Sequence, residues 1–317
     1  MIPTQALNWA RFRVLASVFA VLGTIAVLAS TPALATDPKI FATPEEAAKA
    51  ILDAAASDDT NAIWVVLGDQ YRDKLANPDE AQERENRRQI VAGAKEALQL
   101  RADDANTRVM VIGKQAWPMP IPIVKGDKGW YFDVAAGADE ILARRIGANE
   151  LATIDNLHAY VDAQVQYASE DRDGDGVLEY AQKINSTPGK KDGLYWEVPA
   201  GSNEEASPFG PFVAEKAAYL SDHDPGDPFM GYYYRIISRQ GENAPGGRYD
   251  YVINGNMIGG FAMIAWPADY GNSGVMTFIV NQQGKVYQKD LGEKTEVNAA
   301  AIQDYNPDDS WTEAKED

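Results

Sequence analysis

Apolar positions along the chain change period several times, and those changes divide it. From Thr43 the spacing is helical, with Ala47, Ala50, Ile51 and Ala54 on one face. The start signal Thr43-Pro44-Glu45-Glu46 supplies a capping threonine, a proline whose missing N–H is not needed there, and a glutamate that closes the capping box. A short second helix is expected over 61–67, with Ile63, Trp64 and Leu67 inward. A charged helix over 81–98 opens on Asn77-Pro78-Asp79-Glu80, and its stripe is Ile90, Ala94 and Ala97 or Leu98. Alternation then takes over at 107–112, 121–125 and 130–133, with 126–129 as the hairpin turn between the last two. Pro118, Pro120 and Pro122 make the middle segment an edge or an irregular strand. Helices followed by a small antiparallel sheet predict an α+β domain over 37–136.

Helical spacing returns over 138–168, first with Ile141, Leu142 and Ile146, then with Leu151, Ile154, Leu157, Val161 and Val165. Gly147 between the two sets is expected to kink or divide the helix. One or two helical turns are expected over 177–184, stopped by Thr187-Pro188-Gly189, and the proline-rich stretch 190–229 reads as loop. Five strand-like runs follow, at 232–238, 249–253, 257–266, 275–281 and 285–289. Turn residues separate them, the strongest signal being Asn254-Gly255. Short turns between strands predict an antiparallel meander, with the 150–168 helix covering its apolar face. The second domain is therefore α+β as well and spans 138–305, and the acidic stretch 306–317 is expected to be a disordered tail.

Before the first helix stands a different pattern: Arg11 and Arg13, an apolar run over 14–29, and the small-residue end Ala33-Leu34-Ala35. This is the form of a signal peptide over 1–35, cut after Ala35. The run is short for a membrane span, so no span is expected after cleavage, and a periplasmic or secreted address follows. The net charge is −18, with no basic stripe to grip phosphates, which argues against a nucleic-acid partner. The chain has no cysteine, which removes disulfides, thiol catalysis and iron–sulfur chemistry.

One stretch has the spacing that chemistry requires, D-R-D-G-D-G-V-L-E-Y from Asp171. Matched to a calcium loop, Asp171, Asp173 and Asp175 fill positions 1, 3 and 5, and Gly176 makes the turn at 6. Val177 offers its carbonyl at 7, Glu179 stands at 9, and Gln182 occupies 12, where a bidentate glutamate is usual. A neutral amide there predicts weak calcium binding, with Kd of about 10⁻⁴ to 10⁻³ M.

The other candidates carry less chemistry. His158 lies near the apolar stripe and is expected to be packed rather than a ligand. His223, with Asp227 nearby, stands in an Asp, Pro and Gly loop that could serve a carboxylate-dependent hydrolase acting on an envelope polymer, the competing reading. Gly271-Asn272-Ser273-Gly274-Val275 lacks the last glycine of a nucleophile elbow and precedes a strand. Tyr232, Tyr233, Tyr234, Tyr249, Tyr251, Trp266 and Tyr270 alternate faces along strands and are expected mainly to pack. With no complete catalytic constellation, a binding, assembly or structural protein is the leading expectation, its partner an envelope protein or polymer.

Several runs resemble a known family: R-I-G-A-N-E-L from Arg145, D-R-D-G-D-G-V-L-E-Y-A-Q from Asp171 and G-Y-Y-Y-R-I from Gly231. So do A-P-G-G-R-Y-D-Y-V-I-N-G from Ala244 and Y-G-N-S-G-V-M-T-F-I-V-N from Tyr270. The family is an exported bacterial one known as domain of unknown function 2950, and the likeness implies an envelope address. Asn149-Glu150 entering a helix, and a meander closing on T-F-I-V-N-Q-Q-G-K-V, resemble the globular half of type IV pilins and pseudopilins, some of which hold calcium. Pilins need a prepilin cleavage site before an apolar helix, whereas here the apolar run ends in A-x-A and a whole domain intervenes. The resemblance therefore implies a pilin-like body without pilus assembly. The first domain resembles the cone-shaped nuclear-transport-factor-2 fold.

Overall fold

The α+β architecture starts from a capped helix. Thr43 Oγ1 accepts from the Glu46 N–H at 3.1 Å and Glu46 Oε2 accepts from the Ala42 N–H at 3.1 Å, which fixes the start of α1 (Pro44–Ala55). The computed structural model describes residues 35–315 apart from 58, 200, 221–223 and 225. The expected signal peptide, except Ala35, and His223 lie outside the described residues.

After α1 come α2 (Asn61–Leu67), α3 (Arg72–Leu75) and α4 (Glu80–Glu96). Asp79 caps α4, its Oδ1 accepting from the Gln82 N–H at 2.9 Å, while Asn77 accepts in turn from the Asp79 N–H. The helix ends two residues before the expected Leu98, because Leu98 begins a strand instead. The alternating Leu98 and Leu100 of β1 (Leu98–Ala102) pair with β2 (Thr107–Ile112) in the register Leu98 to Ile112. Strands β3 (Trp117–Pro118), β4 (Ile123–Gly126) and β5 (Gly129–Phe132) complete an antiparallel sheet ordered β1-β2-β4-β5, with β3 beside β2. The expected hairpin closes where Gly126 pairs with Gly129. Phe41, Ala47, Met110, Ile123 and Phe132 are among the residues of this smaller core.

Helix α5 (Val134–Tyr167) is a single unbroken element of 34 residues. Gly147 does not divide it: no atom lies within 4 Å of where a Cβ would stand, so the helix passes through on the exposed side. The helix crosses the boundary expected between 136 and 138 and serves both cores, Ala138 in the smaller, Leu157 and Tyr160 in the larger. The proline-rich stretch expected as loop contains two short helices, α6 (Gly210–Glu215) and α7 (Ala217–Leu220).

The larger core lies under the second sheet. Its strands are β6 (Tyr232–Ile237), then, after the outlying β7 (Arg239–Gln240), β8 (Tyr249–Asp250), β9 (Val252–Ile253) and β10 (Asn256–Met257), the strands β11 (Ala262–Pro267), β12 (Met276–Asn281) and β13 (Tyr287–Asp290). After α8 (Thr295–Ala301), β14 (Thr312–Glu313) closes the order β14-β13-β12-β11-β6. Two sequence expectations change here. The 249–253 run leaves the sheet, because its two halves pair locally, β8 with β7 and β9 with β10 across the Asn254-Gly255 turn. Both turn residues have positive φ, 55° and 98°, as a tight primed hairpin needs. The place in the sheet goes to β14, from the stretch expected to be a disordered tail. Gln288 pairs with Thr312, and Trp311 packs on the larger core with Lys289 against its ring. An aromatic side chain that finds apolar cover outweighs the acidic composition around it.

A buried polar seam joins the two halves of the chain. Asp79, 1% exposed, accepts through Oδ2 from the Tyr219 hydroxyl at 2.8 Å and from the Gly231 N–H at 3.0 Å. Gln82 donates to Asn149 Oδ1 at 2.8 Å, and Asn149 donates to the Ser273 carbonyl at 2.8 Å. Arg145 reaches the Leu75 carbonyl at 2.6 Å and Asn272 Oδ1. Ser273, fully buried, donates to the Asp269 carbonyl and precedes the strand β12, as expected. Glu83 beside this seam has its carboxyl held above the ordinary range by burial, against the pull of Arg145 and Arg87. Among the described residues no helix is long and apolar enough to cross a membrane.

Candidate metal centre

The acidic loop begins where α5 stops, and a cation anchors it there. Arg172 turns back under the helix end, its side chain only 2% exposed. Its Nε donates to the Tyr167 carbonyl at 3.1 Å and one terminal nitrogen to the Gln166 carbonyl at 3.3 Å. Both are carbonyls of the last helical turn, the Gln166 one shared with Ser169, and a positive charge suits that pole. The other terminal nitrogen pairs with Glu205 at 2.9 Å and holds that carboxyl below its ordinary range. The guanidinium also stacks near Trp196 and Tyr167, 5.5 and 5.7 Å from the ring centres. Arg172 is thus committed to the helix end and to Glu205, with Glu170 a more distant partner at 3.8 Å.

Beyond it the backbone coils around Asp171, whose Oδ1 accepts from the Gly174 N–H at 2.8 Å and whose Oδ2 accepts from the Gly176 N–H at 2.9 Å. The Gly176 bond first, then the Gly174 bond, lowers the pKa of Asp171. Both glycines lie in the left-handed region, φ 81° and 88°, where a side chain is strained, so the turn expected at Gly176 is made there. Asp175 Oδ1 accepts from the Val177 N–H at 2.8 Å, and the Asp175 N–H meets Asp173 Oδ1 at 3.3 Å.

The result is convergence of three exposed carboxylates. One oxygen each from Asp171, Asp173 and Asp175 lies within 4.8 Å of the others. Two oxygens bound to one calcium at about 2.3–2.6 Å stand at most about 5 Å apart, so the spacing fits that ion.

The second half of the loop goes elsewhere. The one or two helical turns expected over 177–184 do not form; the chain stays extended and pairs with the Asn254-Gly255 hairpin. Glu179 Oε2 accepts from the Met257 N–H at 2.8 Å, and the Tyr180 N–H donates to the Met257 carbonyl at 2.9 Å. Gln182 donates to the Gly255 carbonyl at 2.6 Å and also bonds Glu179. A helix would forfeit these bonds, and the hairpin edge supplies them at no cost in chain length. Gln164 on α5 locks the far end, its amide giving to and taking from Ala181 at 2.8 Å each way. The structure therefore brings Asp171, Asp173 and Asp175 together, leaves Val177 as the hinge between two directions, and sets Glu179 and Gln182 against the hairpin.

Two connecting residues escaped the sequence reading. Asn256 bridges the halves, donating to Asp175 Oδ2 at 2.9 Å, and Arg172 carries the anchoring described above. The N-G-N run held the signal for Asn256, but only the fold shows which carboxylate it meets.

Charge is strained at one point. Burial first, and then the charges of Asp173 and Asp175, hold the Glu179 carboxyl above its ordinary pKa despite the bond from Met257. Tyr167 nearby is pushed up to about 12 by burial and by the Glu179 charge. An acid whose folded pKa is raised costs stability when ionised, and that cost disappears as pH falls toward the ordinary glutamate range. Glu179→Gln keeps an acceptor for Met257 and removes the charge. In chelator at pH 7 the variant is expected to melt at a higher temperature than wild type, and the gap is expected to close as pH falls toward about 4.3. A lower melting point at pH 7 contradicts the assignment.

The remaining candidates fall into place around this. His158 is half-buried on α5, and Tyr251 and Tyr232 are fully buried. The Tyr251 hydroxyl donates to Gln240 Oε1 at 3.0 Å, so the aromatic residues of the β region serve packing as expected, with Tyr249 the exposed member.

Compared with curated proteins and with solved structures, the chain finds no match. The family described as "Protein of unknown function (DUF2950)" matches it over residues 38–314, from the first packed segment to beyond β14. That span takes in both cores, the acidic loop and the hairpin, and the chain belongs to the DUF2950 family.

Proposed function

We propose that this chain is an exported envelope protein, periplasmic or secreted, with a non-enzymatic binding or assembly role and a loop ordered by a weakly bound calcium ion. One observation carries the cation: three carboxylates converge within 4.8 Å while the only cationic side chain in their stretch, Arg172, is turned away to the helix end. Like charges at that distance repel, and a divalent ion relieves them. Export is supported by the arginines, the apolar run over 14–29 and the Ala33-Leu34-Ala35 end.

The bonds define what the ion does. Asp175 is shared between the cluster and Asn256, so a cation drawing the carboxylates together also fixes the 171–182 segment on the β9–β10 hairpin. The ion is a structural clamp between the end of α5 and that hairpin. A partner, an envelope protein or polymer, then meets a hairpin of set orientation. Affinity is held down by Gln182, neutral and bonded to Gly255, and by Glu179, one of whose oxygens already serves Met257.

Calorimetric titration with calcium is expected to give heat and a Kd of about 10⁻⁴ to 10⁻³ M in wild type, and none in the Asp173→Ala, Asp175→Ala double variant. No heat in wild type, or equal heat in both, contradicts the reading.

A further inference from the structure

We infer that Asp69 is the counter-ion prepared for the N-terminus of the processed chain, the α-ammonium of Thr36. The inference rests on the export reading above for the position of the cut and on separate residues for its chemistry.

The segment that follows the expected cut is seated on the body. The Thr36 N–H donates to Asp69 Oδ1 at 2.5 Å, and the Asp69 N–H donates back to the Thr36 carbonyl at 3.2 Å. Three residues on, the Lys39 N–H meets the Val66 carbonyl at 3.1 Å, and Phe41 exchanges two 2.8 Å backbone bonds with Trp130. Gly68 makes the approach feasible. Its φ is 75°, and a Cβ there would stand 2.6 Å from the Thr36 carbonyl oxygen and 2.9 Å from the Pro38 nitrogen, both backbone atoms that cannot give way. The end of α2 and the turn after it thus form a cradle whose last group, the Asp69 carboxylate, sits on the nitrogen of residue 36.

That nitrogen belongs to the bond the Ala33-Leu34-Ala35 signal marks for cleavage. A membrane signal peptidase adds one water across it. The Ala35 carbonyl carbon gains the oxygen and leaves as a carboxylate, while the Thr36 nitrogen keeps the electron pair of the broken C–N bond and takes up protons. An α-amine has an ordinary pKa of about 7.7–8.0, so at neutral pH it is mostly an ammonium. A neutral amide donor with one hydrogen becomes a cation with three, and its bond to Asp69 becomes charge-assisted. Cleavage therefore strengthens the contact that holds the first residues down, where a chain end otherwise frays.

The test has two stages with separable failures. The full chain is expressed in an exporting bacterium and the envelope product is read by N-terminal sequencing and intact mass. A product that begins at Thr36 is expected; one that begins elsewhere overturns the position of the cut and the inference with it. The chain starting at Thr36 is then compared by thermal melting with one carrying Ala35 in front, which moves the ammonium one residue away. Each is made as wild type and as Asp69→Asn. The Thr36 chain is expected to melt about 1–3 °C higher, as a partly exposed ion pair allows, and Asp69→Asn is expected to abolish that difference. A difference absent in wild type, or unchanged in Asp69→Asn, overturns the pairing while leaving the cut and the export reading intact.

Discussion

Asp79→Ala is expected to lower the unfolding free energy by about 2–4 kcal/mol, the sum of a lost helix cap, a buried Gly231 N–H left without its acceptor and a Tyr219 hydroxyl left with the Pro228 carbonyl at 3.1 Å. The carboxylate is 1% exposed and takes three bonds, from the Gln82 N–H, the Tyr219 hydroxyl and the Gly231 N–H. Water cannot replace it at that depth, so the Gly231 N–H keeps its full desolvation cost while the Tyr219 hydroxyl falls back on the Pro228 carbonyl. The three donors come from α4, α7 and the residue before β6, so the loss falls on the seam between the smaller and larger cores. Tyr219→Phe removes that donor but also the acceptor of the part-buried Met230 N–H at 3.1 Å, keeps the cap and the Gly231 bond, and is expected to cost about 1–2 kcal/mol, less than Asp79→Ala. Urea denaturation of the two variants checks this. Similar, small losses in both would mean that the seam does not hold the halves together.

The second large effect concerns how α5 sits on the sheet. Leu157→Ala is expected to cost about 2–5 kcal/mol, whereas Leu151→Ala is expected to stay within about 0.5 kcal/mol. Leu157 is fully buried against the larger core, while Leu151 is 51% exposed although both belong to the same apolar stripe in the sequence. Comparable losses in the two variants would contradict the observed rotation of the helix.

That rotation explains why the sequence stripe was only half right. The buried face of α5 includes Asn149, Thr153, Asn156 and Gln164 beside Leu157, Tyr160 and Ala163. Each of those polar side chains has a partner: Asn149 and Gln164 bond backbone carbonyls, Thr153 bonds the Asn149 carbonyl, and Asn156 bonds the Tyr234 hydroxyl. Apolar periodicity cannot register a buried polar residue whose partner lies far along the chain. Local signals fared better. The Thr43 cap, the hairpin at Asn254-Gly255 and the turn at Gly176 are each decided within a few residues, and each is found, although Glu46 closes on the Ala42 N–H rather than on that of Thr43. The strand of 98–102, the departure of 249–253 from the sheet and the docking of Trp311 depend on which segments compete for a partner, and short windows do not carry that information.

The candidate centre divides along the same line. Asp171, Asp173 and Asp175 converge because two glycines and their own Asx bonds coil the loop locally. Gln182 and Glu179 followed the motif only by count; a hairpin about 75 residues later took them, through Gly255 and Met257. What the spacing predicted as a self-contained calcium loop is, in the fold, a cluster of three carboxylates joined through Asn256 to a hairpin.

In the proposed function a cation on the three carboxylates tightens that joint. Backbone amide hydrogen exchange at Tyr180 and Met257, with calcium and with chelator, tests it most directly, since both N–H groups lie in the joint and neither belongs to the carboxylate cluster. Slower exchange at both amides is expected with calcium in wild type, and no change in the Asp173→Ala, Asp175→Ala variant. Exchange unaffected by calcium in wild type, or slowed equally in the variant, would contradict it.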